Sequence, residues 1–87
     1  MFRPGWLARR RARREAAVMG QLLAGNIYVY QIWRRIGGSF GSIQAALCDL
    51  EDRGYVSSRM VVQRGADPRR RYDLTSKAID ARAWEIE

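Results

Sequence analysis

The stretch from Ser39 to Val56, Ser-Phe-Gly-Ser-Ile-Gln-Ala-Ala-Leu-Cys-Asp-Leu-Glu-Asp-Arg-Gly-Tyr-Val, constrains the fold of this chain more than any other. Ile43, Ala46, Leu47 and Leu50 fall at i, i+3, i+4 and i+7, which lines one face of a helix with apolar side chains. A hydroxyl from Ser39 or Ser42 can start that helix by accepting a bond from a free backbone N–H. Gly54 suits the left-handed residue that stops a helix, and Tyr55-Val56 opens a strand-like run directly behind it. A helix with one buried face, a sharp stop and an immediate strand leave few architectures open.

The flanking segments are punctuated in the same way. Residues 1–8, with Pro4-Gly5, read as a flexible arm, and residues 9–87 as a single domain. From Ala12 the spacing predicts a helix whose stripe is Ala12, Ala16, Met19, Leu22 and Leu23, stopped at Gly25-Asn26. Asn26 to Ile36 predicts a second helix, with Val29, Ile32, Trp33 and Ile36 inward and Gln31, Arg34 and Arg35 outward. Gly37-Gly38 then makes a short turn into Ser39, a spacing that fits a helix-turn-helix. After Gly54 the period drops to two, with Val56, Ser58, Met60 and Val62 on one face. Residues 64–69 form a turn, and Arg70 to Leu74 returns with Tyr72 and Leu74 opposite that face. Thr75-Ser76 caps a last helix whose stripe is Ile79, Ala83 and Ile86, with Trp84 beside it.

Charge narrows the partners. The 87 residues carry a net charge of +7, and all but one of the 16 basic residues are Arg. Residues 1–35 have a net charge of +7 and residues 55–72 of +4, whereas residues 36–54 and 73–87 have −2 each. Positive charge therefore flanks a third helix that has almost none, which favours an anionic partner and nucleic acid above all. No apolar run approaches the roughly 18–20 residues of a membrane span. Cys48 is the single cysteine and histidine is absent, which excludes Cys/His zinc sites and His-based catalysis. Asp49, Glu51 and Asp52 are the only dense acids, with no catalytic companion, so no enzyme, metal or cofactor is expected.

With that order of elements established, the residues resemble the PadR-type winged-helix transcriptional regulators. Tyr28-Val-Tyr-Gln-Ile32 resembles that family's Tyr-Gly-Tyr-Glu-Ile at the entry to the second helix. Gly41 to Val56 resembles its Gly-Thr-Leu-Tyr-x-Ala-Leu-x-x-Leu-Glu-x-x-Gly-Leu-Ile recognition stretch. Arg69-Arg-Arg-Tyr-Asp-Leu-Thr75 resembles its wing return, Arg-Arg-Lys-Tyr-Tyr-x-Leu-Thr, one residue shorter. The resemblance implies a mainly α fold with a two-stranded β-wing: a winged helix-turn-helix of three helices, a β-hairpin and a C-terminal helix. This sequence departs from the pattern at Gln44 and Ala45, and it has no basic residue from Ser39 to Asp52.

The function implied is a homodimeric, double-stranded-DNA-binding regulator, cytoplasmic and nucleoid-associated. Ser42, Gln44 and Ala45 would face the bases. Tyr28, Arg34, Arg35 and Ser39 would lie on the DNA backbone, with Arg64, Arg69, Arg70 and Arg71 on the wing and Arg9, Arg10 and Arg11 on the N-terminal arm. Ile79, Ala83, Trp84 and Ile86 are the candidate dimer contacts. The alternative is a winged-helix module that binds a protein partner, such as a mobile-element factor acting on a host protein.

Overall fold

The computed structural model describes residues 5–85. Its order is α1 (Gly5–Leu23), α2 (Val29–Ile36), α3 (Phe40–Asp52), β1 (Val56–Val61), β2 (Arg69–Leu74) and α4 (Ser76–Ala81). This is a winged helix-turn-helix: three helices, an antiparallel two-stranded hairpin and a short C-terminal helix. Ile32, Ile43, Leu47, Leu50, Val18 and Val56 are fully buried and form the centre of one core. The α3 stripe of Ile43, Ala46, Leu47 and Leu50 is buried along its whole length.

α3 begins and ends by local chemistry. The Ser39 hydroxyl accepts from the Ser42 N–H at 3.1 Å, so Ser39 is the cap of the two candidates. At the other end the Tyr55 N–H donates to the Leu50 carbonyl at 2.9 Å and the Gly54 N–H to the Glu51 carbonyl at 3.0 Å, with Gly54 at φ +81°. That pair of bonds is a Schellman stop. A Cβ at Gly54 would meet only the Lys77 side chain at ordinary contact distance, so Gly54→Ala should lose stability through backbone strain alone. About 1–2 kcal/mol is expected for a left-handed alanine, read as a lower urea midpoint with unchanged slope.

The hairpin strands differ from expectation by one residue, β1 ending at Val61 and β2 beginning at Arg69, and the larger boundary differences each have a tertiary or local reason. Gly5 to Ala8, expected within the arm, form the first turns of α1, and residues 1–4 lie outside the described residues. α2 starts at Val29 rather than Asn26, because Ile27 and Tyr28 lie extended along the free edge of β2. There the Ile27 carbonyl accepts from the Tyr72 N–H at 2.8 Å, and Tyr28 bridges to Arg71. The Gln31 side chain, expected outward, turns back to accept from the N–H groups of Ile27 and Tyr28. α4 ends at Ala81, because Arg82 takes the left-handed conformation.

The α1 stripe is also shifted. Its buried residues are Glu15, Ala16, Val18, Met19 and Leu22, whereas Ala12 and Leu23 are exposed. The buried Glu15 carboxylate is held by ion pairs to Arg11, at 3.1 Å, and to Arg53. A carboxylate taken out of water needs such partners, and here they tie α1 to the end of α3. From Gly5 to Arg13 every residue of α1 is exposed, so the start of the helix projects beyond the core.

Candidate nucleic-acid interface

With its apolar stripe in the core, α3 turns Gln44 and Ala45 to solvent and leaves Ser42 half-buried beside them. The Ser42 hydroxyl donates its proton to the Ser39 carbonyl at 2.8 Å. It therefore has only acceptor capacity left for an outside group. Clefts open on both flanks of this surface, and each brings residues from distant parts of the chain together.

On the hairpin side, Tyr28, Val29, Tyr30, Gln44, Arg69, Arg70 and Tyr72 surround a cleft of about 280 Å³. The Arg69 guanidinium stacks 3.7 Å from the centre of the Tyr28 ring, which holds it at the mouth. Arg70 donates to the Ser58 hydroxyl at 3.0 Å, and that hydroxyl donates to Glu51 on α3 at 2.6 Å. Ser58 thus links the return strand to the helix beneath it. Burial raises the pKa of the Tyr72 phenol above its ordinary value, against the opposing pull of Arg70, so the group stays protonated. Arg71 is committed elsewhere: its Nε and Nη2 donate to Asp73 at 3.3 and 3.1 Å.

On the other side, the projecting start of α1 runs beside α3. Leu7, Ala8, Arg10, Arg11 and Arg14 face Ser42, Ala45 and Asp49 across a cleft of about 430 Å³. Arg11 crosses it to Asp49, Nη2 to Oδ2, at 2.7 Å. Arg10 and Arg14 have no carboxylate partner among the described residues. Arg9 is exposed on the same helix.

The remaining expected residues line neither cleft. Arg34 and Arg35 are exposed at the end of α2, with Arg34 6.0 Å from the centre of the Tyr30 ring. Arg64 is exposed in the loop between the strands. The Ser39 hydroxyl is engaged in the helix cap. Of the candidate dimer contacts, Ile79 is half-exposed and Ile86 lies outside the described residues. Ala83 and Trp84 fold back against this chain's own core, since the reversal at Arg82 carries them off the expected helical stripe.

Arg14, Tyr30, Tyr72 and Asp49 line these clefts, and Ser58 bonds to Arg70 beside one of them, yet none of these was among the expected site residues. Arg14 could have been found by continuing the helix back through Arg10, because the two lie four residues apart on one face. Ser58 stands opposite Tyr72 in the hairpin register, on the face that meets α3. Nothing local marks Asp49 as the partner of a residue 38 positions away.

No helix among the described residues is long and apolar enough to cross a membrane. No group of metal-ligating side chains occurs among them. No protein-family model matches the sequence, and no curated protein does. The structure, however, superposes on that of Bacillus subtilis PadR, solved in complex with operator DNA, with a TM-score of 0.70 and 22% sequence identity. The match covers 84% of this chain and 46% of that protein, so the chain spans less than half its length. At this identity the likeness establishes the fold: the chain has a winged helix-turn-helix fold like that of PadR.

Proposed function

We propose that this protein is a non-enzymatic regulator of transcription that binds double-stranded DNA as a homodimer in the cytoplasm, at the nucleoid. The observation that carries the reading is the pair of flanks around α3. A helix surface of Ser42, Gln44 and Ala45 lies between Arg69 and Arg70 on one side and Arg10 and Arg14 on the other. Phosphate contacts position such a protein, and contacts to base edges specify the sequence. The guanidinium groups supply the first, and the uncharged stretch of α3, entering the major groove, supplies the second.

The two polar groups on that stretch differ in what they can read. Gln44 has both donors and an acceptor, which matches the N6 and N7 positions of adenine. Ser42, with its proton given to Ser39, can accept only from an amino group, on cytosine or adenine. Gln44→Ala is therefore expected to erase discrimination at one base pair, by about 1–3 kcal/mol, while affinity for random duplex stays nearly constant. Equal weakening of all sequences would remove Gln44 from the base-reading surface.

Selection of bound sites from random duplexes, with the mass of the protein measured in solution, tests the whole reading. The expected result is a two-fold symmetric site with half-sites about 34 Å apart and a dimer mass. The exposed Ile79 is then the proposed contact between protomers. A chain that shifts no duplex at low salt would instead be a protein-binding module.

A further inference from the structure

We infer that Asp49 is a specificity-determining residue that withholds the Arg11 guanidinium from phosphates until α3 is fully seated; the inference rests on the DNA-binding reading above. Asp49 lies one helical turn beyond Ala45 and two beyond Ser42, so it borders the surface offered to the bases. Its Oδ2 accepts from Arg11 Nη2 at 2.7 Å, across the cleft between α3 and the projecting start of α1. Arg10 and Arg14 line the same cleft with no carboxylate partner among the described residues. Of these three guanidinium groups, Arg11 alone is held back.

The pair is built to exchange. Both side chains are about half exposed, 50% for Arg11 and 44% for Asp49, and an ion pair so open to solvent is weak. A phosphate is an equivalent ligand for the guanidinium. Losing Arg11 would not strand the buried Glu15 carboxylate, because Arg53 also holds it. A duplex gripped only by the peripheral Arg residues meets Asp49 as a repelling charge and a competitor for Arg11. A duplex into which α3 is fully inserted brings a phosphate to the α1 side of the helix, where Arg11 can change partners. Random complexes thus lack one phosphate contact that seated complexes have, which lowers random affinity selectively.

The test is a cycle of wild type, Asp49→Asn, Arg11→Gln and the double variant, titrated by fluorescence anisotropy against a random duplex and the selected duplex over a salt series. On random duplex, Asp49→Asn should steepen the log–log salt slope by about 0.9 and tighten binding about fivefold at 0.1 M salt. On the selected duplex its slope should not change, so the specificity ratio falls. In the Arg11→Gln background the same change should leave the slope on random duplex unaltered. The inference is overturned if Asp49→Asn acts equally with and without Arg11, since that is a general charge effect. It is also overturned if Asp49→Asn weakens both duplexes and lowers helicity, which would make Asp49 a prop for α1. Wild type that binds neither duplex would bring down the DNA reading itself, a result distinct from these.

Discussion

Replacing Arg69 and Arg70 together with alanine is expected to weaken binding to every duplex by on the order of 10–100-fold at 0.1 M salt, and to flatten the log–log salt slope by about 1.8. The size follows from two lost phosphate contacts, each releasing about 0.9 of a counterion. These two groups are singled out by their surroundings. Arg69 is held over the Tyr28 ring and Arg70 over the Ser58 hydroxyl, so both are aimed without being neutralised. Arg71 differs, because Asp73 already occupies its Nε and Nη2. Adding Arg71→Ala to the double variant should therefore change the slope by much less than about 0.9. Both Arg69 and Arg70 are exposed, so the double variant should keep the wild-type melting temperature. An unchanged slope would take the wing out of the interface, and a large separate effect of Arg71 would show that its pairing with Asp73 breaks on binding.

What could be read in the sequence, and what could not, divides by the range of the interaction. α3 was legible at both ends because its signals are local: the Ser39 hydroxyl bonds three residues ahead, the Gly54 N–H bonds three residues back, and the Tyr55 N–H behind it bonds five residues back. The hairpin was legible for the same reason where Val56 pairs with Leu74 and Ser58 with Tyr72, although Met60 and Val62, expected on the same inward face, are exposed. The start of α2 was not, because Ile27 and Tyr28 extend to cover β2, a neighbour more than 40 residues further along. Tertiary pairing there outweighs helix propensity. The α1 stripe is displaced from its expected course because a carboxylate stands at one of its inward positions, and the approach of Arg53, with Arg11 from its own helix, offsets the burial of Glu15. At the candidate interface, residue types and the flanking of α3 by Arg were visible as charge blocks. The division between aimed and committed Arg was not, because Asp49 and Asp73 act through geometry that charge counts cannot resolve.

Leu47→Ala is expected to lower stability by about 2–5 kcal/mol, more than Gly54→Ala or any of the surface substitutions. Leu47 has 0% exposure at the middle of α3, where Val18, Ile32 and Val56 also reach the core. Truncation there removes buried methyl groups and leaves a cavity that the surrounding helices cannot fill completely. A domain of this length has on the order of 4–13 kcal/mol in all, so roughly a sixth of its stability or more is at stake. Urea unfolding should show a lower midpoint with a similar slope. The consequence for DNA is separable, because Leu47 faces the core and Gln44 and Ala45 face solvent on the same helix. At a temperature where the variant stays folded, it should bind random duplex with the wild-type salt slope, since no guanidinium has moved. Discrimination at the Gln44 position should weaken only as far as α3 shifts into the cavity. A variant that keeps full stability would place Leu47 outside the core, whereas one that stays folded but loses the salt slope would mean that α3 and the Arg flanks move as one body.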